Sequence, residues 1–315
     1  MGMQLLKRLF YGLLTLLVIS VLVFAGTEIL PGDVATAMLG QGATEESVAA
    51  LREDLGLNRP ASVRYFAWLG DFVQGDLGIS TATGRPIAEL INTRAKNTFI
   101  LAVLTAVFAV PLAVFLGIVS AMYPDSLVDR SISISSLMLI SVPEFFTGAL
   151  LVFLLAVTWH LFPAVIYVSE FKSAGQMVHA LVLPILTLTA ATLAHMCRMT
   201  RTAILDVLRS GYVEMALLKG ASKRRIILRH ALPNALGPII NVIAVNLGYL
   251  VSGVVVVEAV FAFPGLGRMM VDSVTNRDIP MVQAVVMIFC VVYIGVNIVA
   301  DLLVLLTNPR LRMKK

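Results

Sequence analysis

Long apolar runs, almost free of charged residues, divide this chain into segments of membrane-spanning length. A helix that rises about 1.5 Å per residue needs about 20 apolar residues to cross the hydrocarbon core of a bilayer. Runs of this length predict six transmembrane helices, at 9–30, 98–122, 132–157, 179–198, 236–258 and 281–306. Because the runs are continuous and do not alternate with polar residues, membrane-spanning strands are excluded. The pattern predicts an all-α, polytopic membrane protein with about six transmembrane helices.

Composition supports a bilayer as the solvent of this chain. Of its 315 residues, 58% are hydrophobic and only 14% are charged, whereas soluble domains carry about 25% charged residues. This deficit of charge excludes a disordered chain, a coiled coil and an ordinary soluble enzyme. The two cysteines, Cys197 and Cys290, lie in apolar runs without metal-ligand spacing. We therefore interpret them as small buried hydrophobic residues.

The basic residues indicate the orientation of the chain in the membrane. Most of the 24 Lys and Arg residues fall in four regions that alternate correctly to lie on one side: Lys7 and Arg8, the loop containing Arg130, the segment 198–235, and the C-terminal residues 310–315. Loops rich in Lys and Arg face the cytoplasm, so both termini are predicted to be cytoplasmic. The net charge of +5 is then largely a topology signal, and we expect no nucleic-acid partner.

Three regions follow from the predicted spans. Residues 1–30 form a cytoplasmic end and the first transmembrane helix, 31–97 an external helical segment, and 98–315 a core of five transmembrane helices. The first apolar run is longer than the roughly 7–15 residues typical of a signal peptide, and we predict an uncleaved helix. In the external segment, one capped amphipathic helix is predicted to begin at Thr44 and a second to cover 63–73. We interpret this segment as a packed cap rather than a ligand site.

The chain carries no motif for covalent chemistry. It has no phosphate-binding loop, no metalloprotease helix motif and no nucleophile elbow, and its four histidines are scattered. We therefore expect no catalytic residues, no metal site and no cofactor in this chain.

Polar residues inside apolar spans are the remaining functional candidates. Glu144 and Asn246 lie deep in their spans, and two interpretations stay open for them: hydrogen bonding between helices, or lining of a solute pathway. Glu28, Glu258 and Asp301 lie near predicted span ends, where we expect them to snorkel or to cap a helix.

The segment 198–235 is too long for a simple connector and has a pattern of its own. A helix is predicted from Tyr212 to Lys219, and Gly220 ends it by adopting a positive φ. Ser222 is a good N-cap for a second helix that runs through Leu228. Pro233 then marks the start of the fifth span. The result is a basic helical hairpin at the cytoplasmic surface, for which binding to anionic lipid is one interpretation.

The same segment resembles the EAA loop of ABC importer permeases. Glu214-x-Ala216-x-x-x-Gly220, followed after nine residues by 230–233, keeps the spacing of that loop, although Met215 and His230 depart from its usual residues. Further segments resemble the dipeptide/oligopeptide/nickel permease family over nearly the whole chain. They are Leu30-Pro31-Gly32-Asp33, Leu55–Pro60, Gly75–Ser80, Phe263–Arg268, Arg277–Pro280 and Asn308-Pro309-Arg310.

This resemblance implies a type I ABC importer permease in a bacterial plasma (inner) membrane. Such a permease pairs with a second, homologous permease and with two ATP-binding subunits that hold ATP and Mg²⁺, and an external solute-binding protein delivers the solute. The resemblance implies that the EAA hairpin couples the permease to the ATPases. The coupling residues are then Glu214, Ala216, Gly220, Arg224, Arg225, Leu232 and Pro233.

Short peptides are the solute that the family resemblance favours. Nickel, opines and oligosaccharides are alternatives for the same machinery. An ion-coupled secondary transporter would require a paired inverted repeat, which the sequence does not display. A membrane scaffold without transport is the third hypothesis.

Overall fold

The computed structural model describes residues 2–29, 34–39, 42–54, 56–166, 173–220 and 222–307. Within these ranges the chain is helical, and an isolated bridge between Ile79 and Pro86 is the extent of its β-structure, so the predicted all-α fold is confirmed. The helices are α1 (Gly2–Ile29), α2 (Val34–Leu39), α3 (Glu45–Asp54), α4 (Ala61–Gln74), α5 (Ile87–Met122), α6 (Leu127–Ser141), α7 (Glu144–Leu151), α8 (Ala174–Leu208), α9 (Gly211–Leu218), α10 (Lys223–Ile226), α11 (Leu232–Val260), α12 (Leu266–Thr275) and α13 (Ile279–Thr307). Two π-helical segments, Val152–Thr158 and Ile227–Ala231, extend α7 and α10.

Five helices have the length and apolar character of membrane spans: Leu6–Ile29, Ile87–Met122, Gly175–Leu208, Leu232–Val260 and Ile279–Val304. They confirm five of the six predicted spans, and several extend beyond the predicted ends because a helix need not stop where its apolar run stops. The first and last of the family-like segments, at 30–33 and 308–310, lie outside the described residues.

The third predicted span, 132–157, is not one continuous helix. It is a pair of helices, α6 and α7, that are bent by 100° where they meet. Pro143 has no backbone N–H, and Val142 before it adopts an extended conformation with φ −98° and ψ 125°. Proline disfavours the helical conformation in the residue that precedes it, which explains the break at this position. The prediction of a single helix was therefore wrong.

The chain divides into two compact units. The first comprises Met1–Leu5, Phe99–Phe263 and Gly295–Lys315, and the second comprises Leu6–Thr98 and Pro264–Ile294. In the first unit, α8 packs along α11, and α7 contacts both helices. Its main core is apolar and buried. The largest buried side chains of this core are Leu101, Leu181, Leu183, Leu188, Phe261 and Phe263.

Small residues allow helices of the first unit to approach closely. A Cβ atom placed on Gly117 of α5 would lie 2.7 Å from the Cβ of Thr200 and 2.8 Å from the carbonyl oxygen of Cys197 in α8.

Cys197 is itself buried, as predicted, and Cys290 is half-buried. Glu258 is fully buried in the first unit, so it does not snorkel to a surface, and the alternative expectation, that it caps a helix, stays a prediction.

A buried ion pair connects the start of α6 with α8 in the first unit. Arg201 donates from Nε and Nη2 to the two carboxylate oxygens of Asp129, at 2.7 and 2.6 Å. Ser120 donates to the same carboxylate, and the backbone N–H of Asp125 donates to Oδ2 at 2.9 Å. Every acceptor position of Asp129 therefore has a donor in a well-defined geometry.

The second unit contains the two predicted amphipathic helices, which are confirmed as α3 and α4. Thr44 caps α3, since its hydroxyl accepts a hydrogen bond from the Ser47 N–H at 3.2 Å. On α4, Tyr65 hydrogen-bonds the Ser20 hydroxyl at 2.8 Å, which fixes this helix against α1. Glu28 forms an ion pair with Arg64 of α4 within this unit.

Candidate coupling hairpin and solute groove

The helical hairpin predicted within residues 198–235 is confirmed. The hairpin, residues 210–231, consists of α9, a turn at Gly220, α10 and the following π-helical segment. Gly220 has φ +77°, which confirms the predicted positive φ. The backbone carbonyl of Ser222 accepts from the N–H of Ile226 at 2.9 Å and begins the second arm.

The second arm of the hairpin runs directly into α11. The predicted second helix was expected to end near Leu228, but the π-helical segment Ile227–Ala231 carries the chain on to Leu232 without a break. Pro233 lies in the first turn of α11, where a missing N–H costs no intrahelical hydrogen bond. The hairpin arm and the transmembrane helix are therefore mechanically one element.

One side of the hairpin is buried and the other is exposed. Val213, Ile226 and Ile227 are almost completely buried in the first unit and anchor both arms. The exposed side carries the carboxylate of Glu214 together with three large apolar side chains. These are Tyr212, Met215 and Leu218, of which Leu218 is 74% exposed. A contiguous apolar patch beside a charge is typical of a protein-binding surface.

The remaining predicted coupling residues lie along or next to this hairpin. Ala216 is half-buried, and Arg225 is exposed. Leu232 packs against a small apolar cluster of α5, α8 and α11, and Pro233 is exposed. The side chain of Arg224 lies outside the described part of the chain.

Two cavities follow the groove between α8 and α11, inside the first unit. The first, of about 910 Å³, lies beside the hairpin and is lined by Ser210 and Tyr212 together with Arg198, Thr202 and Asp206 of α8 and Asn234 of α11. The second, of about 470 Å³, is lined by α6, α7, α8 and α11. Met199 lines both cavities, so they share one face of α8. We refer to the two cavities together as the α8–α11 groove.

Both polar residues predicted deep in the membrane line the second cavity. Asn246 is 2% exposed, and its amide donates to the carbonyl of Val242 in its own helix at 2.8 Å. Glu144 is half-buried in the first turn of α7 and lies against Gly253, where an added Cβ would be 2.7 Å from its Oε1. Among the described residues, Glu144 has no hydrogen-bond or ion-pair partner. The structure brings the two residues to one cavity without joining them.

Two further residues line this cavity, His195 and Tyr249. His195 is a polar residue within an apolar span and so a functional candidate from the sequence, but sequence reasoning missed Tyr249 and connected neither residue with Glu144. Their rings are stacked with centroids 6.5 Å apart, and both side chains are exposed in the groove. The signal that connects them is helical periodicity. His195, Met199, Thr202 and Asp206 recur every three or four residues on α8, and Pro238, Val242, Asn246 and Tyr249 do so on α11.

Comparison with known proteins assigns the family. Residues 113–313 match the protein family described as the binding-protein-dependent transport system inner membrane component. Residues 1–112 match the family described as the N-terminal region of that membrane component. The chain belongs to this permease family. The family predicted from the EAA-like spacing is thereby confirmed.

Two relatives match the permease over almost its full length. The probable peptide ABC transporter permease protein y4tP of Sinorhizobium fredii is 36% identical over 99% of this chain and 100% of its own. The glutathione transport system permease protein GsiC of Pectobacterium atrosepticum is 38% identical, with 98% of each chain covered. The MetNI methionine ABC transporter, solved in inward-facing conformations, is 18% identical with a TM-score of 0.49, covering 68% of this chain and 92% of that chain.

The protein is therefore a permease subunit of a binding-protein-dependent ABC importer and a multi-pass inner membrane protein. The ion-coupled transporter and the membrane scaffold are excluded as its main function. Its relatives are permease components of transport systems, which agrees with the interpretation that transport rather than covalent chemistry is the task of this chain.

Proposed function

We propose that the permease imports short peptides, that the α8–α11 groove forms its half of the solute pathway, and that residues 210–231 couple it to ATPase subunits. The names of the peptide and glutathione permeases that it resembles favour peptides as the solute. The groove supports this choice because cavities of about 300–1,000 Å³ suit small organic ligands. Its lining mixes apolar side chains with amide, hydroxyl and charged groups, which peptides require.

The observation that carries the proposal is the continuity of the hairpin with α11. A partner that binds the exposed face around Glu214 and moves the hairpin also moves α11, because no flexible connection separates the two. The same helix carries Asn246 and Tyr249 on the groove. A rigid-body displacement of this kind changes access to the groove without any chemistry in the permease itself.

The partners follow from this division of labour. Two ATP-binding subunits hold ATP and Mg²⁺ and contact the hairpin, a second homologous permease supplies the other half of the pathway, and an external solute-binding protein delivers the peptide. In the proposed orientation the hairpin and both termini face the cytoplasm, in agreement with the excess of Lys and Arg in these regions. Glu214 is suited to a charge-assisted contact with a basic group of the ATPase.

Gly220→Val tests the coupling role, with Gly211→Val as the matched control. Both glycines have open space where a Cβ would be placed, but only Gly220 has a positive φ. A left-handed conformation costs an L-residue roughly 1–2 kcal/mol, so the native turn becomes about 5–30-fold less favoured. In proteoliposomes containing the complete importer, Gly220→Val should strongly reduce peptide-stimulated ATP hydrolysis, whereas Gly211→Val should have a small effect.

Two outcomes would contradict the proposal. If Gly220→Val retains both co-purification of the ATPases and peptide-stimulated hydrolysis at the level of the control, residues 210–231 are not the coupling element. If the wild-type importer takes up nickel, an opine or an oligosaccharide but no peptide, the coupling proposal stands and the proposed solute is wrong.

A further inference from the structure

We infer that Glu144 and Tyr249 form a binding site for the ammonium group of the solute within the second cavity of the α8–α11 groove. For a peptide, this group is its protonated amino terminus. The inference rests on the proposed function, since it assumes that the solute passes through this groove. It adds a chemical preference that neither the family nor the names of the relatives assign to any residue.

The first observation is that the carboxylate of Glu144 has no partner. It has no hydrogen-bond or ion-pair partner among the described residues, although it lies in a helix pair of membrane-spanning character. A carboxyl group in such a position is costly unless it is paired or serves a ligand. Ion pairs do occur elsewhere in the first unit, where Asp129 is fully satisfied by Arg201. The free carboxylate of Glu144 is therefore a local exception.

The second observation is the position of this carboxylate, which lies against α11 and in the lining of the cavity. Gly253 of α11 lies directly against it, and any larger residue would place its Cβ 2.7 Å from Oε1 and 3.1 Å from Oε2. In this conformation the carboxylate lies against Gly253, and a side chain at that position would make the end of the flexible Glu144 side chain turn away. The carboxylate is part of the cavity lining, so it is accessible to a solute.

The third observation concerns the other groups that line the cavity. Among the described residues that line the cavity none is Lys or Arg, so no permanently charged side chain of this lining competes with a ligand for Glu144. Tyr249 is 68% exposed in the same lining, and its ring is roughly parallel to that of His195, with the centroids 6.5 Å apart. A carboxylate and an aromatic ring that line one cavity can together bind an ammonium group, through a charge-assisted hydrogen bond and a cation–π contact.

Cysteine labelling tests this charge preference without the need for transport. Ser252 is exposed in the lining of the same cavity. In the complete importer, with both native cysteines replaced by alanine, Ser252→Cys is reacted with a trimethylammonium-ethyl and with a sulfonato-ethyl methanethiosulfonate. We expect Glu144→Gln to lower the ratio of the cationic to the anionic rate about tenfold, because a unit charge nearby acts with opposite sign on the two reagents.

Asp125→Asn is the matched control for this labelling. Asp125 is an exposed carboxylate of the first unit outside the cavity, and asparagine tolerates its φ of 62°. This variant should leave the ratio unchanged. If Glu144→Gln also leaves the ratio unchanged, Glu144 does not attract cations in this cavity, and the inference is overturned.

Uptake by the same importer provides the second measurement. The uptake rate of trialanine is divided by that of N-acetyl-trialanine for the native protein and for Glu144→Gln. Comparing the two quotients cancels the preference of the solute-binding protein, which is the same in both assays. A several-fold lower quotient in the variant supports the site, and equal quotients overturn it.

The failures of the two proposals are distinguishable. If the native importer takes up neither peptide, the proposed solute is wrong, and the labelling ratio still decides whether Glu144 attracts cations. If the native importer takes up trialanine but no N-acetyl-trialanine, the uptake quotient has no defined value, and the labelling ratio alone decides whether the ammonium site exists. If trialanine is taken up and Glu144→Gln changes neither the labelling ratio nor the uptake quotient, peptide import stands and the ammonium site does not.

Discussion

Removal of Arg201 is the perturbation for which the structure gives the largest expected effect on stability. Its guanidinium donates to both oxygens of Asp129, whose side chain is only 4% exposed. In Arg201→Ala the carboxylate stays buried, with Ser120 and the Asp125 N–H as its remaining donors. Breaking a buried pair by removing one partner costs about 3–5 kcal/mol, because a charge is left without compensation.

The two partners should differ in their effect. The Arg201 side chain is 26% exposed, so in Asp129→Ala its guanidinium has a path to solvent or lipid head groups. We therefore expect Asp129→Ala to cost about 1–3 kcal/mol, less than Arg201→Ala. In the double variant no charge is left stranded, and the loss should be smaller than the sum of the two single losses. Arg130→Ala is the matched control, since Arg130 is exposed and contributes about 0–1 kcal/mol at most.

The assay is the thermal midpoint of the detergent-solubilised importer, followed by the loss of its monodisperse size-exclusion peak. The expected order of midpoints is Arg130→Ala, then Asp129→Ala, then Arg201→Ala, with the double variant above Arg201→Ala. The reasoning is refuted if Arg201→Ala melts together with Arg130→Ala. It is also refuted if Asp129→Ala is the more damaging single change, because the cost would then not arise from a stranded carboxylate.

Two further predictions concern packing and topology. Gly117→Ala should lower the same thermal midpoint by the equivalent of about 1–3 kcal/mol, because the added Cβ would lie 2.7 Å from the Cβ of Thr200. Gly295→Ala is the control and should not lower the midpoint, since no atom lies within 4 Å of the position of its Cβ. Equal midpoints for the two variants would contradict the close approach of α5 and α8. Ala50→Cys and Ser222→Cys, both at exposed positions in a protein without native cysteines, should react with membrane-impermeant maleimide from opposite sides of the membrane; labelling from the same side would overturn the proposed orientation.

The sequence was sufficient to predict the helical architecture because hydrophobicity acts locally in a bilayer. A continuous apolar run of about 20 residues has one stable solution in lipid, the helix, whatever its neighbours are. The helices α3 and α4 were equally accessible, since the cap at Thr44 is a short-range hydrogen bond between near neighbours. The turn at Gly220 was predictable for the same reason, because a left-handed residue at the end of a helix favours glycine.

The fate of Glu258 was not predictable from its position near a span end. A carboxylate near the end of an apolar run can reach the head groups or turn inward, and the run does not distinguish the two. In the structure Glu258 is fully buried. The choice between surface and interior depends on which residues pack around it, and those residues are distant in sequence.

The residues of the candidate site were partly predictable, but their arrangement was not. Glu144 and Asn246 are conspicuous as polar residues in apolar runs. That they line one cavity depends on the packing of α7 against α11, where glycines lie at two of the contacts. Gly253 accommodates the carboxylate, and Gly148 of α7 approaches Phe261, where an added Cβ would lie 3.3 Å from the ring. Glycine is common in any membrane helix, so these positions carried no distinctive signal.

The break at Pro143 connects the error in the predicted span with the candidate site. Proline accounts for a break there, but the 100° bend also depends on the contacts of α7 with α8 and α11. Irregular backbone at membrane depth is tolerated where it is buried in protein or lines a cavity, and Val142 and Glu144 both line the second cavity of the groove. A straight helix over 132–157 would have no irregular backbone next to Glu144, and so no need of a cavity at this position. The break in the predicted helix and the unpaired carboxylate thus belong to one local structure. In the sequence, the adjacent residues Pro143 and Glu144 indicate where that structure lies.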